Sequence, residues 1–180
     1  MTSLDTLFDD LQQLQVNRRM PPVQSWQPAL VGSIDIRIAK DGTWYHQGGP
    51  ITRQALVQLF SGILRREGDT YFLVTPAEKL AIQVEDAPFT AVTLTRDGAG
   101  DTQRLLMTTN VGDHVPLDAQ HRFWMATSDA ESRPYIEVRD GLNALVVRSV
   151  YYELVELAET RGDEAVFVSC GRVFSLGAWS

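Results

Sequence analysis

Cysteine is nearly absent: Cys170 is the only one in 180 residues. A lone thiol excludes an internal disulfide and a cysteine cage around a metal. Histidine is almost as scarce, and His46, His114 and His121 show none of the i, i+2 or i, i+4 spacings of a ligand pair. Basic residues are outnumbered 16 to 23, for a net charge of -7. That balance argues against a nucleic-acid partner, because each backbone phosphate contact needs a Lys or Arg inside a positive field. No apolar run is long enough to span a bilayer, so no membrane partner is expected. Glycine-rich phosphate loops are missing too. Gly98-Ala99-Gly100 is the nearest match, but Asp101 and a strand pattern follow it, where a phosphate cradle needs a helix start. No nucleophile-elbow motif occurs. Enzyme is therefore the lesser reading, and no cofactor is expected. The acidic opening, Met1 to Asp10, differs from the basic-then-apolar secretory pattern, which points to a soluble cytoplasmic protein.

What remains is an ordinary globular mixture, 44% hydrophobic and 22% charged. Leu4, Leu7, Phe8, Leu11 and Leu14 recur at helical spacing, with Ser3 as N-cap, and predict an N-terminal helix. Pro21-Pro22 ends any helical continuation and the stretch to Pro28 reads as an extended connector; helix and connector start make a segment 1–22. Ile34, Ile36 and Ile38 alternate with Asp35 and Arg37, the period of a half-buried strand. Asp41-Gly42 turns it into a second strand, Thr43 to His46. A helix is expected from Thr52 to Arg66, stopped by Gly68-Asp69, with a hairpin from Tyr71 to Val84 after it. Phe89–Thr95, Arg104–Thr109 and His114–Leu117 read as further strands.

The order then repeats. Ile34-Asp-Ile-Arg37 is echoed by Ile136-Glu-Val-Arg139, Asp41-Gly42 by Asp140-Gly141, Leu56-Val-Gln-Leu59 by Leu154-Val-Glu-Leu157, and Gly68-Asp69 by Gly162-Asp163. A duplicated strand-strand-helix-strand-strand unit follows, of α+β class, cut at Asp86 or Ala87 into units 23–86 and 87–180. The gap of four residues within the helix predicts a second helix one turn shorter.

These segments resemble a known bacterial family, the domain-of-unknown-function family numbered 1285. The likeness rests on Gly32-Ser-Ile-Asp-Ile-Arg-Ile-Ala-Lys-Asp-Gly-Thr-Trp44, Pro50-Ile-Thr-Arg53, Leu56-Val-Gln-Leu-Phe-Ser61 and Tyr71-Phe-Leu-Val-Thr-Pro-Ala-Glu-Lys79. Val84-Glu-Asp-Ala-Pro-Phe89, Val138-Arg-Asp-Gly-Leu142 and Tyr151-Tyr-Glu-Leu-Val155 extend it. The resemblance implies a duplicated α+β core, a C-terminal half superficially like a pleckstrin-homology fold, and a role in signalling. It also implies a nucleotide-like ligand between the halves.

The residues themselves offer a candidate set for such a ligand. Asp35 and Arg37 share one strand face, as do Glu137 and Arg139. As solvated ion pairs they would contribute under about 1 kcal/mol each; as ligand contacts, Arg37 and Arg139 would fork onto a phosphate or carboxylate. Trp44, Tyr45 and Tyr135 are candidates to stack on a base. Glu85 and Asp86 would accept from ribose hydroxyls or a base edge, and Lys79, which matches Arg172 in the repeat, completes the set. The expectation is a non-enzymatic module sensing a small anionic, nucleotide-like ligand. The alternative is a protein-interaction module using the C-terminal sheet, the N-terminal helix and Trp179, and a small hydrolase or transferase comes third.

Overall fold

The computed structural model describes residues 20–128 and 130–179; the predicted N-terminal helix over Leu4 to Leu14 lies outside them. The chain divides into two compact units, Met1–Asp86 and Ala87–Ser180. Each is described by itself.

In the first unit a short 3-10 turn, Val23–Ser25, precedes β1 (Leu30–Ile38), β2 (Trp44–His46) and β3 (Gly49–Pro50). Helix α1 (Gln54–Gly62) leads into β4 (Leu64–Glu67), β5 (Thr70–Val74) and β6 (Glu78–Val84). The strands form one sheet in the order β3-β2-β1-β6-β5-β4. Every neighbour is antiparallel except β1 and β6, which run parallel. Alternation buries Ile36 and Ile38 of β1, while Leu56, Val57, Leu59 and Phe60 form the inner stripe of α1. Trp44, Ile63 and Leu73 complete this core.

The helix is shorter than expected. It stops at Gly62, and Leu64–Glu67 is a strand paired with β5, Leu64 opposite Leu73 and Arg66 opposite Tyr71. Gly68, at φ 60°, makes the two-residue turn between them, a conformation that costs glycine little. The apolar pair Ile63-Leu64 mimics another helical turn, but hairpin pairing wins. Arg65 is thereby carried into the interior. Its Nη1 donates to the carbonyls of Val23 (3.1 Å) and Trp26 (2.8 Å), and its Nη2 to Glu67 Oε1 (2.6 Å).

The second unit runs β7 (Phe89–Asp97), β8 (Arg104–Thr109), β9 (His114–Pro116), β10 (Phe123–Ser128), β11 (Glu131–Arg139) and β12 (Leu142–Val146). Helix α2 (Arg148–Leu157) and β13 (Glu159–Arg161), β14 (Glu164–Ser169) and β15 (Arg172–Ala178) follow. Its main sheet has the order β10-β11-β12-β7-β8-β9, with β7 and β12 parallel. Read from the other end, this is the order of the first sheet: third, second, first, sixth, fifth, fourth. Strands β13-β14-β15 make a separate antiparallel sheet. It is fastened by Phe167, which stacks on Phe174 and meets Phe123 edge-on (5.5 Å). The fully buried Ser169 hydroxyl accepts from the Leu105 N–H (2.9 Å), and Gln103 Nε2 donates to the Val168 carbonyl (2.7 Å).

The chain is thus mixed α+β, mostly strands with two helices among the described residues, in a two-part duplicated architecture. The strand-strand-helix-strand-strand order recurs, each helix followed by one added short strand, β4 or β13. The second helix is not shortened, however: α1 has nine residues and α2 ten. A one-turn slip leaves the same face in register, so the Leu-x-x-Leu patterns match equally well when displaced by a turn. No helix among the described residues is long and apolar enough to cross a membrane.

Candidate functional site

Arg37 projects from β1 and its Nη1 donates to Glu85 Oε1, just beyond the end of β6. The other carboxylate oxygen, Oε2, accepts from the Lys40 backbone N–H at 3.0 Å. The guanidinium lies over the Tyr45 ring, 4.3 Å from its centroid, which presents a cation by stacking and charge together. Arg37 and Glu85 are each 36% exposed, so Arg37, Tyr45 and Glu85 are a reachable cluster. The carboxylate that holds Arg37 comes from beyond the parallel neighbour strand, not from Asp35 on the same face. Asp86 follows in sequence and, with Asp69, adds to the burial that pushes the Tyr71 hydroxyl up, against the opposing pull of Arg66.

Two candidates lie elsewhere. Trp44 is 1% exposed and stacked on Phe60, 6.3 Å between centroids; inside the core it offers no ring face to a base, which corrects the expectation for it. Lys79 sits over the Phe72 ring and donates to Glu67 Oε2 at 2.8 Å. Hydrogen bonding from Lys79, with Arg65 also donating, outweighs desolvation and holds the Glu67 carboxyl below the usual range.

In the second unit Arg139 donates from Nη1 to Asp113 Oδ2 and lies 5.1 Å over the Phe89 ring. Glu137, on the same strand, instead accepts from the Gly141 N–H at 3.1 Å. Both repeats therefore hold an arginine between an aromatic face and a carboxylate drawn from another element. Tyr135 stacks on Trp124, 5.6 Å apart and 17° from parallel.

That stack borders a cleft which the sequence reading did not find. It encloses about 590 Å³ between residues 118–125 and β15. Arg122 lies over Trp124 at 5.0 Å, and Arg172 joins the lining from the other wall. Asp118 is occupied: its Oδ1 meets His121 Nδ1 at 2.8 Å and accepts the N–H groups of Gln120 and His121. Burial pushes this carboxyl up, but those hydrogen bonds outweigh it and leave the group below its ordinary value. An arginine two residues before a tryptophan was the available signal, but no alternation marks this strand. Cys170 is exposed at the β14–β15 turn, and His114 Nδ1 bonds Thr108 Oγ1 at 3.1 Å. No group of three His, Cys, Asp or Glu among the described residues is placed to hold a metal.

The fold is a two-unit α+β architecture in which one six-strand topology is used twice. The model described as "Domain of unknown function (DUF1285), N-terminal domain" matches residues 21–87, and that described as "Protein of unknown function (DUF1285), C-terminal domain" matches residues 88–176. The chain belongs to the DUF1285 family. It is similar to a DUF1285 family protein from Silicibacter pomeroyi DSS-3, solved at 2.50 Å. Identity is 41% and the TM-score 0.89, over 99% of this chain and 96% of that one. A DUF1285 family protein from Shewanella baltica OS155, solved at 1.40 Å, is 30% identical with a TM-score of 0.55, over 67% of this chain and 90% of that one. No curated protein matches.

Proposed function

We propose that this protein is a non-enzymatic, cytoplasmic ligand-sensing module for signalling, and that it takes a small anionic ligand of the nucleotide type. The observation that carries the reading is the arginine recurring in both repeats. Arg37 over Tyr45 and Arg139 over Phe89 are planar cations held in place before any ligand arrives. Orientation fixed in advance lowers the entropic cost of gripping a phosphate or carboxylate. Each guanidinium is already matched to a carboxylate, so a ligand anion would bind by sharing or replacing that partner. Tyr45, Glu85 and Asp86 supply stacking and acceptor groups on the Arg37 side. In this proposal the second unit is superficially like a pleckstrin-homology fold.

Thermal-shift screening with nucleotides and small phosphates tests it. A ligand at a hundred times its Kd should stabilise the fold by about 2.7 kcal/mol. Arg37→Ala and Arg139→Ala should each weaken that ligand roughly tenfold or more, as loss of a charged hydrogen bond does. An unchanged shift in both variants would overturn the reading. A second reading, a protein-interaction module, is supported by Val173 and Trp179, which are 52% and 51% exposed on and just past β15.

A further inference from the structure

Strand edges expose unpaired backbone groups, and proteins blunt them with charge, proline, bulges or shortness. Among the described residues the three sheets end in six edge strands. β3 has two residues, one of them Pro50, and β9 has three and ends at Pro116. β4 carries Arg65, Arg66 and Glu67, and β13 reads Glu159-Thr160-Arg161. β15 opens on Arg172 and is paired to β14 through a register shift. β10 has none of these devices. Its six residues, Phe123 to Ser128, contain no charge and no proline, and they pair with β11 without a shift.

The phase of that pairing shows what the edge offers. The Glu137 N–H donates to the Arg122 carbonyl at 2.8 Å, so residues 122, 124 and 126 turn their backbone groups toward β11. The N–H and C=O groups of Phe123, Met125 and Thr127 then point outward. Pro134, which has no N–H, stands opposite Met125, as this phase requires. Outward groups recur at about 6.8 Å, two strand residues, a spacing that fits an extended backbone rather than a compact ion. Alongside runs the 590 Å³ cleft, with Val173 and Ser175 on its far wall. Arg122 and Arg172 stand at it with no ion pair to a carboxylate among the described residues, in a chain of net charge -7.

We propose that β10 docks an extended acidic segment of a partner protein by strand addition. The outward groups of Phe123, Met125 and Thr127 would bond the segment's backbone, and Arg122 and Arg172 would take its carboxylates. This proposal uses neither Arg37 nor Arg139 and does not rest on the ligand-sensing reading.

The test titrates the isotope-labelled full chain with a short synthetic peptide alternating Glu and Val, followed by amide NMR. Saturable shifts at Phe123, Met125 and Thr127 are expected, with a Lys-for-Glu peptide roughly tenfold weaker or more. Met125→Pro removes an outward donor that β11 does not use, and should abolish binding while keeping the sheet. Should that variant fold poorly, the Arg122→Gln/Arg172→Gln pair should still weaken the peptide roughly tenfold. The proposal is overturned by any of four results: no shift at those amides, equal binding of the Lys peptide, the same shifts from inorganic phosphate alone, or a concentration-dependent dimer that protects the β10 amides.

Discussion

The two helix-and-hairpin stretches, α1 to β6 and α2 to β15, share an element order and a Gly-Asp turn, yet end differently. In the first, β6 lies parallel on the free side of β1 and completes a six-strand sheet. In the second, the matching side of β11 is already held by β10, so β15 has no such place and the hairpin stays a sheet of three. β10, which matches β4 in the six-strand order, stands beside β11 where β6 stands beside β1. The vacated pairing leaves two edges facing a cleft where the first unit has a continuous ladder.

The contrast extends to single charges. Both hairpins open with an ion pair two residues apart at 2.6 Å, Arg65 with Glu67 and, with the signs exchanged, Glu159 with Arg161. Arg65 is 6% exposed and Glu159 60%. Burial, not distance, should decide what each contributes. Arg65→Ala has the largest expected effect, a loss of about 3 kcal/mol, because the carbonyls of Val23 and Trp26 and the Glu67 carboxylate lose a buried donor; urea unfolding reads it. Ser169→Ala comes next, at about 1–3 kcal/mol, since it leaves the Leu105 N–H unpaired. Hydrogen exchange should show that loss concentrated in β13–β15, which would mark the hairpin as separately fastened. A uniform loss would mean that the second unit melts as one body. Glu159→Ala should change stability by no more than about 0.5 kcal/mol, and a loss equal to that of Arg65→Ala would erase the distinction between the two copies.

Legibility in the sequence followed the strength of local pattern. β8 and the end of β1 alternate, and these strands and β7 match their expected ranges within a few residues; Asp140-Gly141 forms the two-residue turn its composition predicts, with φ 46° and 77°. The end of α1 was misplaced because Ile63-Leu64 satisfy helical and strand spacing alike. β10 went unread because Phe-Trp-Met-Ala does not alternate; all four side chains are partly exposed, as suits a strand with partners on one face and a cleft along its edge. Arg37 and Arg139 were visible as strand arginines. Glu85 was visible as a candidate too, but its pairing with Arg37, like that of Asp113 with Arg139, was not, since those contacts span 48 and 26 residues. Trp44 looked like a surface platform because its strand is only three residues long, too short for a period to reveal its inward face.

In each main sheet the first strand is joined laterally to the sixth. During synthesis β1 therefore emerges with half of its neighbours unmade, and Leu30–Ile38 must wait for Glu78–Val84 to clear the ribosome. Contacts closed across so much chain form slowly, and until then the β6-facing edge of β1 is unpaired. Closure of β6 onto β1 is therefore expected to be the slow step in forming the first sheet.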